Sequence, residues 1–332
     1  VAQKLKAAMA AVDAGTYMAP SRLTVGEWLD IWQRDYLGNV KQNTVRVYMV
    51  NIRRHIKPAL GAIKLESLCP HMVQGFINGL EGLSPASVRL VYKVLHQALE
   101  KAVELAYIQK NPANGCVLPK AEQKEIRPLE DKQMAALLGA AKGTSLENLI
   151  MVALFTGCRL SELLGLTWDV VDFKKGIVTI NKQLARKDHR KGELFISPKN
   201  GKARTLMPAA SVLAVLKAQK REQAEKQLKA GPMWDNVYKL VFSNEIGGPL
   251  EQYRVEREFK TILSAAGLSG VRFHDLRHTY AVNAIRAGDD IKTVQGNLGH
   301  ATAAFTLDVY GHVSEKMKDD SAARMEAYIK SL

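Results

Sequence analysis

Cysteine is scarce in this chain: three among 332 residues, Cys69, Cys116 and Cys158, widely spaced and without a CxxC pair. That excludes a disulfide framework and a thiolate metal site, and leaves reduced, buried or incidental thiols. No apolar run reaches the roughly 18 residues that mark a membrane-spanning helix, and the start lacks the charged-then-apolar pattern of a signal peptide. A soluble, intracellular, cytoplasmic chain with no membrane partner is expected. Also missing are GxxxxGKS/T, GxGxxG behind a strand, HExxH and any metal-spaced Cys/His cluster. The chemistry is therefore expected to run on side chains alone, with no metal and no cofactor. There is no tandem repeat and no low-complexity tract.

Acidic residues are the remaining scarcity: 33 Asp and Glu against 47 Lys and Arg leave a net charge of +14. A polyanion releases counterions when such charges neutralise its phosphates, so nucleic acid is the expected partner class. A basic amphipathic helix beside an exposed apolar face, which a membrane-surface protein would need, is not evident. At 332 residues the chain is too long for one ordinary core. Its 47% hydrophobic residues can fill two.

Residues 1–20 hold a short helical stretch, VAQKLKAAMAAVDA, stopping at Gly15, which reads as a linker helix. Because Val1 is not methionine, the chain is expected to begin inside a longer product. From Thr24 onward, Val25, Trp28, Leu29 and Trp32 recur at helical spacing. NTVRVYMVNIRRHIKPAL, HMVQGFINGL and SPASVRLVYKVLHQALEKAVEL continue the pattern, the last with Ser84 as cap and Pro85 in its first turn. Residues 21–112 thus predict an all-helical domain whose polar faces carry Lys41, Arg46, Arg53, Arg54, Lys57, Arg89 and Lys93. Each alone is an ordinary solvated charge; as a set on a basic chain they point to a DNA-facing surface.

The Pro-, Asn- and Gly-containing stretch over 113–128 reads as an interdomain linker. Residues 129–332 predict a second domain: helices over 130–142, 145–156 and at Arg159, strands at VVDF, GIVTIN, GELFIS and RTLMP, then helices over 211–230 and most of 250–332. The fold class is mainly α with a small antiparallel β-sheet.

Within that second domain several polar residues sit in apolar surroundings. TGCRLSELLGLTW places Arg159 and Glu162 among leucines, and a guanidinium beside a buried face is costly unless paired. Glu162, three residues on, is a local partner, and a pair closing a helix end accounts for both as well as a reactive site does. In ELFISPKNGKARTLMP, Asn200-Gly201 signals a two-residue hairpin turn, which puts Lys199 at a mobile tip. Lys202, also a DNA-facing candidate, and Lys182 compete with it. HDLRHTYAVNAI sets His274 and Arg277 at i and i+3 on one helix face, able to grip two phosphate oxygens. GNLGHATAAFTLDVYGHV holds His300 and, ten residues later, Tyr310. Alone, one reads as a satisfied histidine after a glycine turn and the other as a packed aromatic. Tyr280, on the His274 helix, is the alternative phenol and reads as core.

In order, Arg159, Lys199, His274-x-x-Arg277, Leu298-Gly299-His300 and Tyr310 resemble the tyrosine recombinase (integrase) family. TGCRLSELLGLTW, FHDLRHTYA and LGHATAAFTLDVYGH are similar to its three signature boxes, and the wording around them is most similar to integrases of conjugative transposons and related phages. The likeness covers about residues 24–332. It implies a helical core-binding domain and a mixed α/β catalytic domain forming a C-shaped clamp on duplex DNA, with an arm-binding domain ahead of Val1. It also implies that Tyr310 is the nucleophile, leaving a 3′-phosphotyrosyl link and a free 5′-hydroxyl, so that bond energy is kept without ATP or metal.

By the same resemblance, Arg159 and Arg277 hold the non-bridging oxygens, Lys199 protonates the leaving 5′-oxygen, and His274 and His300 assist proton transfer. Glu162 orients a neighbouring cation. A homotetramer on DNA, a Holliday junction, a tail helix packing in cis or in trans, accessory DNA-bending and excision proteins, and a bacterial, nucleoid-associated setting complete what it implies. A phenol with a pKa near 10 needs cationic surroundings to react at neutral pH, which two arginines and a lysine provide. A type IB topoisomerase shares that chemistry without sequence choice. A non-catalytic DNA-binding module would keep the fold without needing all six positions filled.

Overall fold

The computed structural model describes residues 22–120, 128–185, 194–198, 200–300, 302, 325–326 and 328–331. The chain divides into two compact units, residues 1–124 and 125–332. In the first, α1 (Val25–Asp35) starts at a capping box: Thr24 Oγ1 accepts from the Glu27 amide at 3.2 Å, and the Glu27 carboxylate accepts from the Thr24 amide at 2.8 Å. Its apolar stripe, Val25, Trp28, Leu29 and Trp32, is buried. Trp28 donates its indole N–H to the Ala98 carbonyl at 2.8 Å, which satisfies the one polar atom of a fully buried ring.

Next, α2 (Gln42–Asn51) runs through a π-helical turn, Ile52–Ile56, into α3 (Lys57–Leu60). The buried Ile52, Ile56 and Leu60 recur every fourth residue, which keeps them on one face. α4 (Pro70–Asn78) and α5 (Pro85–Glu104) follow, and Ser84 Oγ caps α5 by accepting from the Ser87 amide at 3.3 Å.

The second unit opens with α6 (Asp131–Ala141), α7 (Glu147–Thr156) and the short α8 (Leu160–Leu164). A three-stranded antiparallel sheet follows, in the order β1 (Val171–Asp172), β2 (Ile177–Ile180), β5 (Arg204–Leu206), with Val178 opposite both Val171 and Leu206. β3 (Gln183–Leu184) and β4 (Phe195–Ile196) form a separate two-stranded sheet. α9 (Ala210–Ala230), α10 (Gln252–Ala265), α11 (Phe273–Arg286) and α12 (Ile291–Leu298) complete the described elements. α7 is apolar on nearly every side because α9 and α11 both pack on it. One core, with Leu149, Leu163, Phe259 and Leu276 fully buried, joins most of these elements, and a smaller cluster of Ala281, Val282, Ile285, Val294 and Leu298 packs α12 on α11.

Near the start of this unit the Leu129 amide donates to Thr279 Oγ1 on α11 at 2.9 Å; that hydroxyl in turn donates to the Asp275 carbonyl at 2.9 Å.

The fold is mainly α with small antiparallel sheets. The expected hairpin is corrected, because GELFIS and RTLMP do not pair with each other: Phe195–Ile196 pair with Gln183–Leu184, and Arg204–Leu206 pair with Ile177–Ile180. Gly201, at φ +70°, donates its amide to the Pro198 carbonyl at 2.8 Å, so it closes a turn from Pro198 and does not fill the central position expected of it, and the two ends run to different sheets. Burial decides the pairing. Leu206 gains a buried partner in Val178 on the central strand, whereas Phe195 is only half-buried. The proposed linker helix over 1–20 lies outside the described residues, as do residues 121–127. No described helix is long and apolar enough to cross a membrane.

Candidate active site

Two tight corners build the site. The first ends α7 at Gly157, whose φ of +63° is left-handed and whose amide donates to the Ala153 carbonyl at 3.1 Å. Any Cβ here would lie 2.4 Å from Cδ1 of the Tyr280 ring and 2.7 Å from a Leu298 methyl, so both conformation and space demand glycine. The turn points Arg159 out of the core as the residue before α8. Its amide donates to Glu162 Oε2 at 2.8 Å and its Nη1 to Glu162 Oε1 at 2.7 Å, closing the i, i+3 pair.

The second corner ends α12 at Gly299, again left-handed at φ +64°. His300 follows and donates its amide to the Gln295 carbonyl at 3.1 Å. Arg277, on α11, is only 2% exposed and bridges the corners: Nη1 donates to the Gly157 carbonyl at 2.7 Å and Nη2 to the Leu298 carbonyl at 2.5 Å. Two neutral carbonyls orient this guanidinium but do not cancel its charge. Burial and then the nearby Arg159 lower its pKa to about 9, and it stays protonated at neutral pH.

Glu162 has no exposed surface and carries the site's compensating negative charge. Arg204, at the start of β5, donates Nη1 to Oε1 at 2.9 Å and Nη2 to Oε2 at 2.7 Å. Burial alone would raise the carboxyl's pKa; the bonds and charge of Arg204, with the charge of Arg159, outweigh it and hold the value at about 2. The same Arg204 donates Nε to the Asn297 carbonyl on α12 at 2.7 Å. Sequence reading missed Arg204, which lies 42 residues from Glu162. The available signal was stoichiometric: a buried carboxylate has two oxygens to satisfy, and Arg159 alone cannot serve both fully.

Three arginines around one carboxylate leave excess positive charge, and the histidines register it. His274, whose ring meets His278 edge-on at 5.0 Å between centroids, keeps an exposed surface. Loss of solvation, then the charges of His278, Arg277 and Arg159, push its pKa down to about 4. His300 is pushed to about 3 by burial, then by Arg277 and Arg159. Both are thus expected to stay neutral down to about pH 5 in the free protein. Because their folded values are depressed, they leave stability unchanged above about pH 6.5 and subtract from it as pH falls toward 4. A sulfate held by the two arginines should raise both values, so anion binding takes up protons. Imidazole NMR titrations of His274 and His300 with and without sulfate check this; ordinary titration near pH 6.5 in the sulfate-free protein would contradict it.

Arg159, His274, Arg277 and His300 therefore share one electrostatic neighbourhood, with Glu162 beneath it. Lys199 and Tyr310 lie outside the described residues. Next to Lys199, Asn200 donates Nδ2 to the Gly299 carbonyl at 2.8 Å, which ties that turn to the His300 corner. Of the competitors, Lys202 is exposed, while Lys182 sits 3.8 Å from Asp169 Oδ2 and 4.9 Å over the Phe195 ring. Tyr280 is half-buried and its hydroxyl accepts from Asn297 Nδ2 at 3.0 Å. Burial first, with Asp289 adding to it, raises its pKa. Among the DNA-facing candidates Lys41, Arg46, Arg53, Arg54, Arg89 and Lys93 are exposed. Arg89 donates Nε to the Pro119 carbonyl at 2.8 Å, and Lys57 is half-buried and paired with Asp30 at 2.6 Å. No described group of three or more His, Cys, Asp or Glu side chains is arranged to hold a metal ion.

Comparison with known proteins gives a consistent picture. Residues 127–317 match the phage integrase family, and residues 24–81 match the phage integrase N-terminal SAM-like domain. A tyrosine recombinase XerC-like protein of Caldanaerobacter subterraneus subsp. tengcongensis is 29% identical over 319 residues, covering 90% of this chain and 82% of that protein. An integrase of Streptomyces ambofaciens is 29% identical over 338 residues, covering 98% and 86%. The solved structure of the Tn1549 transposon integrase with a circular intermediate DNA superposes with a TM-score of 0.77 at 22% identity, covering 92% of this chain and 99% of that one. A match to the family over more than half its length places the chain among the tyrosine-type site-specific recombinases, as a member of the phage integrase family.

Proposed function

We propose that the chain recombines duplex DNA at specific sites for a mobile element, integrating and excising it by cutting and rejoining strands through Tyr310. The strongest support is the gathering of Arg159, His274, Arg277 and His300 at two glycine corners, where positive charge exceeds the single buried carboxylate. A phosphodiester is a monoanion that gains charge at its equatorial oxygens as a fifth oxygen approaches, and such a site favours that state over the ground state. In this reading Arg159 and Arg277 bind the non-bridging oxygens, and Glu162 orients Arg159.

Attack by the Tyr310 oxygen forms a P–O bond to the 3′-phosphate and breaks the bond to the 5′-oxygen. Lys199 gives that oxygen a proton, and the phenol proton passes to a neutral imidazole, His274 or His300. Reversal with a 5′-hydroxyl from another strand completes the exchange, through a Holliday junction, so no cofactor is consumed. Residues 21–112 act as the core-DNA-binding domain, offering Lys41, Arg46, Arg53, Arg54, Lys57, Arg89 and Lys93 to phosphates. Residues 129–332 act as the catalytic domain, with Lys202 near the backbone. Four protomers assemble on two sites, DNA-bending or excision proteins assist, and the setting is the bacterial nucleoid. The tail helix, whose Met325, Tyr328 and Ile329 are exposed, is available to dock on a neighbouring protomer.

The test uses a nicked duplex carrying the DNA that flanks the encoding gene. A covalent protein–DNA complex resistant to denaturant is expected, with the nucleotide on the peptide that contains Tyr310. Absence of any adduct on such DNA, or a nucleotide mapped to Tyr280, would overturn the reading.

A further inference from the structure

We infer that Arg204 is a positioning residue for strand cleavage, a clamp that holds Arg159 and the His300 corner in one rigid arrangement. The inference rests on the function proposed above and adds a residue that the signature boxes do not contain. Arg204 is 10% exposed at its side chain, and its donors face protein acceptors: both oxygens of Glu162 at 2.9 and 2.7 Å and the Asn297 carbonyl at 2.7 Å. On one side the network runs through Glu162 to Arg159 Nη1 at 2.7 Å. On the other it reaches α12, where the next carbonyl, that of Leu298, receives Arg277 Nη2. Both arginines are therefore approached through a single guanidinium.

The packing at Gly299 fits the same role. A Cβ there would lie 3.1 Å from Arg204 Cδ, so the corner before His300 rests directly on the arginine stem. β5 contributes the third element. Arg204 pairs in register with Ile180 on the central strand, which fixes its backbone to the sheet. Strand, helix α8 and the end of α12 thus meet at one side chain. A planar fork presents donors on separate nitrogens, enough for both carboxylate oxygens and the carbonyl in fixed directions; a lysine ammonium, with its donors on one atom, does not reproduce that geometry. With its donors turned inward, Arg204 orients the groups that face the phosphate and does not bind it.

The deciding measurement is single-turnover adduct formation on the nicked duplex at saturating DNA, recording both the rate constant and the final fraction of protein trapped. Displacing a reacting group by about 1 Å costs on the order of a hundredfold, which is the fall expected for Arg204→Met. Arg204→Lys, which keeps the charge but not the fork, is expected to fall by at least about tenfold. In both variants the trapped fraction and the Kd for duplex DNA should match the unaltered chain within about threefold. An unchanged rate in Arg204→Lys would overturn the inference, as would a smaller trapped fraction at an unchanged rate, which marks a fold defect. Should Arg204→Met not fold, Arg204→Lys decides alone. If the unaltered chain itself forms no adduct, the proposed function fails and not the clamp.

Discussion

Tyr310→Phe is expected to bind its DNA as tightly as the unaltered chain and to form no covalent complex with it. The substitution removes one oxygen and keeps the ring, so contacts made by the aromatic face persist. What is lost is the atom that attacks phosphorus, and removing a nucleophile lowers turnover by about a thousandfold or more. Tyr280→Phe is the matching control. Among the described residues its hydroxyl accepts from Asn297 Nδ2, and its ring lies where a side chain at Gly157 would have to go, so it should retain the adduct with a modest loss of stability. Denaturing gels of both variants on the nicked duplex settle the point. An adduct that survived Tyr310→Phe and vanished in Tyr280→Phe would move the nucleophile to α11.

The second large effect is on stability. Glu162→Ala strips the carboxylate from between two guanidiniums whose side chains are 18% and 10% exposed, leaving Arg159 and Arg204 uncompensated in a low-dielectric site. Breaking a buried pair by removing one partner typically costs about 3–5 kcal/mol, a large part of the about 5–15 kcal/mol that holds a domain folded. The urea midpoint of the second unit's transition should fall accordingly; a change of under about 1 kcal/mol would contradict the pairing. Acid should act through the same group. With its folded pKa held near 2, Glu162 contributes stability above the ordinary carboxylate range and loses it as pH falls toward 2. In Glu162→Ala that part of the acid sensitivity should disappear.

The local features were readable in the residues themselves. The Trp28 stripe, the Ser84-Pro85 start and the Arg159–Glu162 pair each depend on neighbours within a turn or two, and periodicity and capping chemistry act over that distance. Arg204 was not readable in the same way, since its partner is brought close only when β5 joins β2. The hairpin failed for a related reason. Gly201 does end a reversal that starts at Pro198, but one residue out of the expected place, and a turn signal does not specify which strands pair across it. Val178, buried at the centre of the sheet, decided that. The π-helical turn was not readable, because Ile52, Ile56 and Leu60 fall at i, i+4 and i+8, a spacing that a regular amphipathic helix also carries.

The hydrogen bond from Leu129 to Thr279 has a mechanical meaning. Thr279 lies one half-turn beyond Arg277 on the same helix, so Leu129 is moored on the face of α11 opposite the guanidinium that bridges both corners. Leu129 is thus hydrogen-bonded to α11 two residues before α6 begins. The mooring is a side-chain hydroxyl, so Thr279→Val would cut the tether while leaving the helix its shape.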